Sequence, residues 1–356
     1  MEFGSVIELD KNKYYIDCGK SIHNIDLAYG TFFKKYFFQS GRNAIEALML
    51  LLHNKHAVIF VPDFICETVK DSILRAGWEY IEYTVYEDMK INTREINKKI
   101  TELNLKYVYI AHLFDSRFND DDIIIFETWK KNGITIIEDV TLNLLGTDRI
   151  GFGNYIIGSL RKWFAIPDGA FLFSANELNI EESKDTSIYT SYYLLTQTLK
   201  REYIQNGYRD SELKKLYLEY YNLSIKDIFT DYTIRTMSHI SRVYLANIDI
   251  SKIREIRQQN YDFLYNQISD IDKSMCLCPR SKNTTPMMLV IKCDKRDDLL
   301  KYLIEHDIYC SVHWRLLTDK KNVNYLSEHL LSIPCDQRYT KKQLQYIVER
   351  IQDWKG

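Results

Sequence analysis

The sequence predicts an α/β protein, a mostly parallel sheet covered by helices on both faces, continued by a smaller α+β unit. Three observations carry this reading. Between residues 44 and 173, short β-branched or aromatic runs alternate with segments of helical spacing, which is the signature of successive βαβ units. From 177 to about 247 the chain turns polar, tyrosine-rich and helix-like, with no clear strand. A long helical stretch at 250–267 then leads into a second alternation that runs to the end.

Taken in order, residues 1–40 read as irregular structure and short strands around an early helix, Ile25–Lys35, and an aromatic-rich strand then empties into Ser40-Gly41-Arg42-Asn43. Ala44–Leu52 is an apolar helix, and Ala57–Val61 is a β-branched strand stopped at Pro62, a residue that cannot donate to a sheet ladder. Cys66–Ala76 has helical spacing, Trp78–Val85 reads as a strand, and a helix around Ile96–Leu103 precedes the strand Tyr107–Ala111. The helix Asp121–Asn132 leads to the strand Thr135–Ile137, which ends in the acidic pair Glu138-Asp139. Tyr155–Ile157 and Ala170–Phe173 complete the first alternation. Beyond the long helix, Pro286–Ile291 and Ile308–Val312 are expected strands, and Lys295–His306 and Thr340–Trp354 expected helices. The division this implies is a large domain over 1–249, with 177–247 mostly helical and interface-forming, and a small α+β domain over 250–356.

Composition narrows the function classes. A formal charge of −2, with 47 basic and 49 acidic residues, lacks the electrostatic footprint of a nucleic-acid binder. No apolar run is long enough to cross a bilayer, and Met1-Glu2-Phe3-Gly4-Ser5 has no signal-peptide character. The expectation is a cytoplasmic protein. The cysteines are seven, odd in number and scattered, which suits reduced thiols better than a disulfide framework. Cys276-Leu277-Cys278 has the wrong spacing for a zinc knuckle, so no metal site is expected.

The chemistry concentrates at strand ends, where ligands collect in parallel sheets. In Ile157-Gly158-Ser159-Leu160-Arg161-Lys162-Trp163-Phe164, a strand runs into a turn that presents Ser159 and, three residues later, one amine. A lysine in a partly desolvated pocket gives up its proton readily and can form an imine. Asp139 follows a buried strand, where a carboxylate can hold a proton on a pyridine nitrogen. Ser40 and Gly41 directly before a helix leave backbone N–H groups aimed at an anion on the helix axis. Singly, each has a plainer explanation: Ser40 as an N-cap, Asp139 as a cap or loop acid, Lys162 as a surface charge. Together, phosphate cradle, carboxylate and lysine are the parts that hold and use pyridoxal phosphate. His112 also ends a strand on this edge, as a cofactor or substrate contact or as a satisfied structural histidine.

These residues carry a resemblance to the DegT/DnrJ/EryC1/StrS family of nucleotide-sugar aminotransferases. It rests on Ser40-Gly41-Arg42-Asn43-Ala44, Val61-Pro62-Asp63-Phe64-Ile65-Cys66, Ala111-His112-Leu113-Phe114 and Ile137-Glu138-Asp139-Val140-Thr141. Gly158-Ser159-Leu160-Arg161-Lys162-Trp163, Ser311-Val312-His313-Trp314 and Ser332-Ile333-Pro334 extend it. The resemblance implies the fold-type I transferase fold of pyridoxal-phosphate enzymes, with a mostly parallel seven-stranded sheet and a smaller C-terminal α+β domain. It implies that Lys162 links to the cofactor aldehyde, that Asp139 binds the ring nitrogen, and that Gly41, the Arg42 backbone and Ser159 hold the phosphate. His313 is by the same resemblance a substrate-side contact. A homodimer with shared active sites is implied, with Tyr232–Ser238 resembling the segment that crosses between subunits.

The implied activity is amino transfer from an amino acid, glutamate by the family norm, to a keto group on a nucleotide-linked sugar. This is the chemistry of surface-polysaccharide and antibiotic-sugar biosynthesis. Several positions depart from the family pattern. Cys66 stands where a cofactor-stacking aromatic is common, with Phe64 the nearest replacement. Leu142 stands where Gln or His meets the phenolic oxygen, leaving Thr141 or Asn143 as substitutes, and Thr233 replaces the usual Asn. Other readings are a non-catalytic or regulatory relative, and a pyridoxal-phosphate enzyme with a non-sugar substrate. Relatives that dehydrate sugars carry histidine in place of the lysine, so Lys162 argues against that route.

Overall fold

Seven of the apolar runs assemble into one sheet. The computed structural model describes residues 2–9, 27, 34–53, 57–114, 118–277 and 284–355. Its first half runs β1 (Phe3–Gly4), β2 (Lys34–Phe38), α1 (Gly41–Leu52), β3 (Val58–Pro62), α2 (Glu67–Arg75), β4 (Glu79–Tyr83) and α3 (Thr93–Glu102). It continues through β5 (Tyr107–Ala111), α4 (Asp120–Lys131), β6 (Thr135–Asp139), β7 (Tyr155–Ser159) and β8 (Ala170–Ser174). The sheet order is β2-β8-β7-β6-β5-β3-β4. The five strands from β7 to β4 are mutually parallel, and β8 is antiparallel to both β7 and β2. The carboxyl ends of β3, β5, β6 and β7 therefore lie along one edge, where Ala111 is level with Asp139 and Asp139 with Ile157.

The central strands are mostly apolar because helices cover both faces, with polar residues gathered at their carboxyl ends. One core joins α1, α2 and the sheet through Leu48, Ile73, Val61, Ile137, Ile157 and Leu172, all at most 1% exposed. The opposite face packs Val108, Ile110 and Ile136 against Ile96, Phe126 and Trp129. Gly158 in β7 permits the close approach of Phe171 in β8, since a Cβ there would lie 2.5 Å from the Phe171 ring.

After β8 the chain forms α5 (Ile188–Gln205), α6 (Ser211–Thr230), α7 (His239–Ala246) and α8 (Ile250–Ile271), in line with the helical reading of 177–247. The remainder is β9 (Met288–Lys292), α9 (Arg296–Glu305), β10 (Ile308–Tyr309), α10 (Lys321–His329), β11 (Leu330–Pro334) and α11 (Lys341–Lys355). β9 pairs antiparallel with β11, while β1 pairs parallel with β10. The start of the chain thus packs into the C-terminal core, where Phe3 meets Leu264, Leu303 and Ile347.

Some expectations need correction. The strand expected over Ile308–Val312 is only Ile308–Tyr309, followed by a single bridge from Ser311 to Ser332. The helix α10 and the strand β11 were not anticipated as elements. The early helix Ile25–Lys35 falls largely outside the described residues, and its last two positions, Lys34 and Lys35, open β2 instead.

Candidate active site

A cavity of about 250 Å³ opens at the carboxyl edge of the sheet, and Ser40, Gly41, Arg42, Cys66, Asp139, Thr141, Ser159 and Lys162 all line it. Residues far apart in sequence converge there because β2, β6 and β7 all end on this side.

The start of α1 supplies one wall. Ser40 is in extended conformation and its hydroxyl accepts from the Asn43 backbone N–H at 3.2 Å, so the plain N-cap is present. The remaining N–H groups of the first turn have no helical partner and leave this end positive. A Cβ on Gly41 would sit 3.9 Å from the Ser159 Cβ, so the two residues flank one narrow slot. The Arg42 side chain turns to the end of α6, donating to the Ile228 carbonyl and lying 4.7 Å over the Phe229 ring. Only the Arg42 backbone is thereby left for the slot itself.

β6 delivers Asp139. One carboxylate oxygen accepts from the Thr141 backbone N–H at 2.8 Å, the other from the Tyr109 hydroxyl at 2.7 Å. Two donors orient the carboxylate and leave each oxygen a free lone pair. Burial, then the Asp139 charge, push the Tyr109 phenol well above its ordinary pKa, so it serves as a donor. Thr141 also ties the site together, its hydroxyl accepting from the Ser159 N–H at 3.2 Å and its carbonyl from the Trp163 indole at 2.7 Å.

Lys162 sits on the turn between β7 and β8. The Leu160 and Arg161 N–H groups both donate to the Gly169 carbonyl. Gly169 has φ +140, and a Cβ there would meet Met237 at 2.9 Å. Trp163 is fully buried, with the Arg257 guanidinium 4.6 Å over its ring and Gln337 donating to its carbonyl at 3.0 Å. Asp168, 1% exposed, accepts from the Ser238 hydroxyl at 2.6 Å and from Thr190 and Ser241. The lysine is thus carried on a turn pinned from four directions.

The two histidines differ. His112 borders the cavity, but its Nε2 lies 2.8 Å from Glu138, which also accepts from the Gly151 and Gly153 N–H groups at 2.9 and 2.7 Å. Its ring is packed against Phe118 and Phe152. His313 lies 2.9 Å from the Ser332 hydroxyl, and burial together with the Lys162 charge lowers its pKa to about 3. It is neutral at physiological pH and within electrical reach of the lysine. Its neighbour Trp314 lines the cavity and meets Phe64 edge-on at 5.3 Å.

The departures from the family pattern also find places. Cys66 lines the cavity, its sulfur 3.1 Å from the Thr68 hydroxyl, whereas Phe64 is fully buried against Trp314. Leu142 and Thr141 line the cavity, whereas Asn143 is buried against Gly146. The Tyr232–Ser238 segment runs along its own chain, where the Asn43 amide donates to the Thr233 carbonyl at 3.2 Å and Gln39 to that of Arg235. Sequence reasoning did not single out Tyr109, Arg257, Gln337 or Trp314 as a wall of the site. Tyr109 alternates in phase with Ala111 toward Asp139, a signal visible in the β5 sequence; the others come from distant elements.

No protein-family profile and no curated protein sequence matches the chain. Solved structures do. The chain is similar to PseC of Helicobacter pylori, an aminotransferase of pseudaminic acid biosynthesis, at 14% identity, over 99% of each chain, with TM-score 0.67. It is similar to a DegT DnrJ EryC1 StrS aminotransferase from Brucella abortus at 16% identity, over 90% of this chain and 86% of that one, with TM-score 0.57. NtdA of Bacillus subtilis, solved with its bound cofactor PMP, matches at 13% identity over 89% and 72%, with TM-score 0.62. The chain therefore has the fold of these aminotransferases, which agrees with the α/β architecture read from its sequence.

Proposed function

We propose that this chain is a pyridoxal-phosphate-dependent aminotransferase of the DegT/DnrJ/EryC1/StrS type, acting on a nucleotide-linked sugar with an amino acid, glutamate, as donor. The observation that carries the reading is the convergence of Lys162, Asp139, Ser159 and the start of α1 on one cavity. The donor set fits the cofactor: a slot between Gly41 and Ser159 beside a positive helix end suits a phosphate, and an oriented carboxylate suits a protonated ring nitrogen. When bound, the cofactor supplies the electron-poor ring that takes up the electron pair left as a Cα–H bond breaks.

The protein's part is positional and acid–base. Lys162 is the amine that would bind the aldehyde and, once released, carry a proton at its Nζ between the donor Cα and the cofactor. Asp139, fixed by Tyr109 and Thr141, would hold its carboxylate toward the ring nitrogen. Cys66 and Leu142 border the ring's space, and Thr141 is the hydroxyl available near it. His112 and His313 are the proposed substrate-side residues, His112 with its ring already bonded to Glu138. Trp314, which lines the cavity beside Phe64, supports the same side.

The wider assignment includes a homodimer with shared sites, a division near residue 250 into large and small domains, and a cytoplasmic setting. Support for the setting is that no helix among the described residues is long and apolar enough to cross a membrane. The test is direct. The purified protein should bind pyridoxal phosphate with visible absorbance, borohydride should fix the cofactor's mass on Lys162, and glutamate should bleach the band in a half-reaction. Absence of cofactor mass on Lys162 refutes the proposal. Binding without bleaching by any amino acid favours a non-catalytic relative.

A further inference from the structure

One guanidinium group stands beside the slot without an acidic partner among the described residues. Arg161 lines the cavity together with Gly41, Arg42 and Ser159. Its guanidinium rests on a tyrosine shelf, 5.0 Å over the Tyr193 ring and 5.9 Å from that of Tyr189. The shelf is rigid, because Tyr189 is fully buried and its hydroxyl donates to the Pro167 carbonyl at 3.1 Å. Burial, then the like charges of Arg75 and Arg161, lower the pKa of Arg42. Arg75 has its own counter-ion, Glu46, at 3.1 Å. Among the described residues no acidic side chain forms an ion pair with Arg161 or Arg42.

Arginine does not shed its charge in proteins; Tyr189 and Tyr193 hold the Arg161 charge from within the chain, but among the described residues no carboxylate neutralises it beside the positive end of α1. A dianion in the slot would do so, and a planar guanidinium suits phosphate geometry. We propose that Arg161 is a phosphate-binding residue of this site, supplying the counter-charge to the cofactor's phosphate that the backbone of α1 and the Ser159 hydroxyl hold by hydrogen bonds. The inference rests on the functional reading above and adds a residue to it.

The test compares pyridoxal phosphate with pyridoxal, which has the same ring and aldehyde and no phosphate. Binding of both to the cofactor-free protein is measured for wild type, Arg161→Gln and Arg161→Lys, along with the thermal midpoint in inorganic phosphate. Loss of one charge-assisted contact predicts at least about tenfold weaker pyridoxal phosphate binding in Arg161→Gln. Pyridoxal affinity should be unchanged within about twofold, and Arg161→Lys should recover part of the loss. Equal losses for both ligands, or no loss for either, overturn the inference and leave the lysine chemistry standing. Should wild type take up neither aldehyde, the functional reading fails. Inorganic phosphate then decides: a midpoint rise that Arg161→Gln abolishes upholds Arg161, and equal rises overturn it.

Discussion

The hydrogen bond from Tyr109 to Asp139 can be weighed on its own. Tyr109 is fully buried, and its 2.7 Å contact is of the short kind made to an ionised acceptor. Tyr109→Phe removes one oxygen and little else, so packing loss is small. Asp139→Ala removes the same contact from the other side, together with the bond from the Thr141 N–H. In a double-mutant cycle that second bond cancels, as do both packing changes, leaving the pair. Hydrogen bonds to charged groups contribute about 1.5–3 kcal/mol. Asp139 is half-buried and borders the cavity, so water can replace part of the loss and the lower end, about 1.5 kcal/mol, is expected. Urea unfolding of the cofactor-free single and double variants at neutral pH reads this coupling directly. Single effects that add to within about 0.5 kcal/mol would mean the two side chains act independently, and the argument that Tyr109 orients the acid would be refuted.

Two further outcomes follow from buried groups near the site. Glu138→Ala would leave the His112 imidazole and the Gly151 and Gly153 N–H groups unpaired around a fully buried position. The expected loss is about 3–5 kcal/mol of stability, and a loss under about 1 kcal/mol in urea unfolding would contradict the geometry. His313 gives a pH signature. Its folded pKa is lowered to about 3 by burial and by Lys162, whereas an unfolded histidine titrates near 6.5. The unfolded chain therefore binds the proton first. This contribution is complete above about pH 6.5 and is lost as pH falls toward 3. Between pH 6.5 and 5 wild type should lose about 1.6 kcal/mol more than His313→Gln, and parallel stability profiles would exclude the effect.

The parts legible in the sequence are those whose cause is local. The capping serine before α1, the acidic end of β6 and the lysine on the turn after β7 are each set by a few consecutive residues. Parallel strands then bring them to the same edge. The alternation of strand and helix was legible for the same reason. The missed α10 and β11 show the limit: Lys321–His329 is polar, and His329 leads straight into Leu330, with no glycine or proline to mark the change of element.

The sequence by itself determined the kind of sheet, the order of its strands along the chain, and the residues that stand at their ends. Periodicity and capping act over a few residues and survive without tertiary contacts. Only the tertiary structure decided that the His112 ring faces Glu138, that Arg257 and Gln337 clamp the Trp163 turn, and that Trp314, Ile228 and Phe229 join residues from 40–162 in lining one cavity. Each of those pairings depends on register and on how distant elements pack. No local pattern encodes which of many possible partners a buried polar group will find.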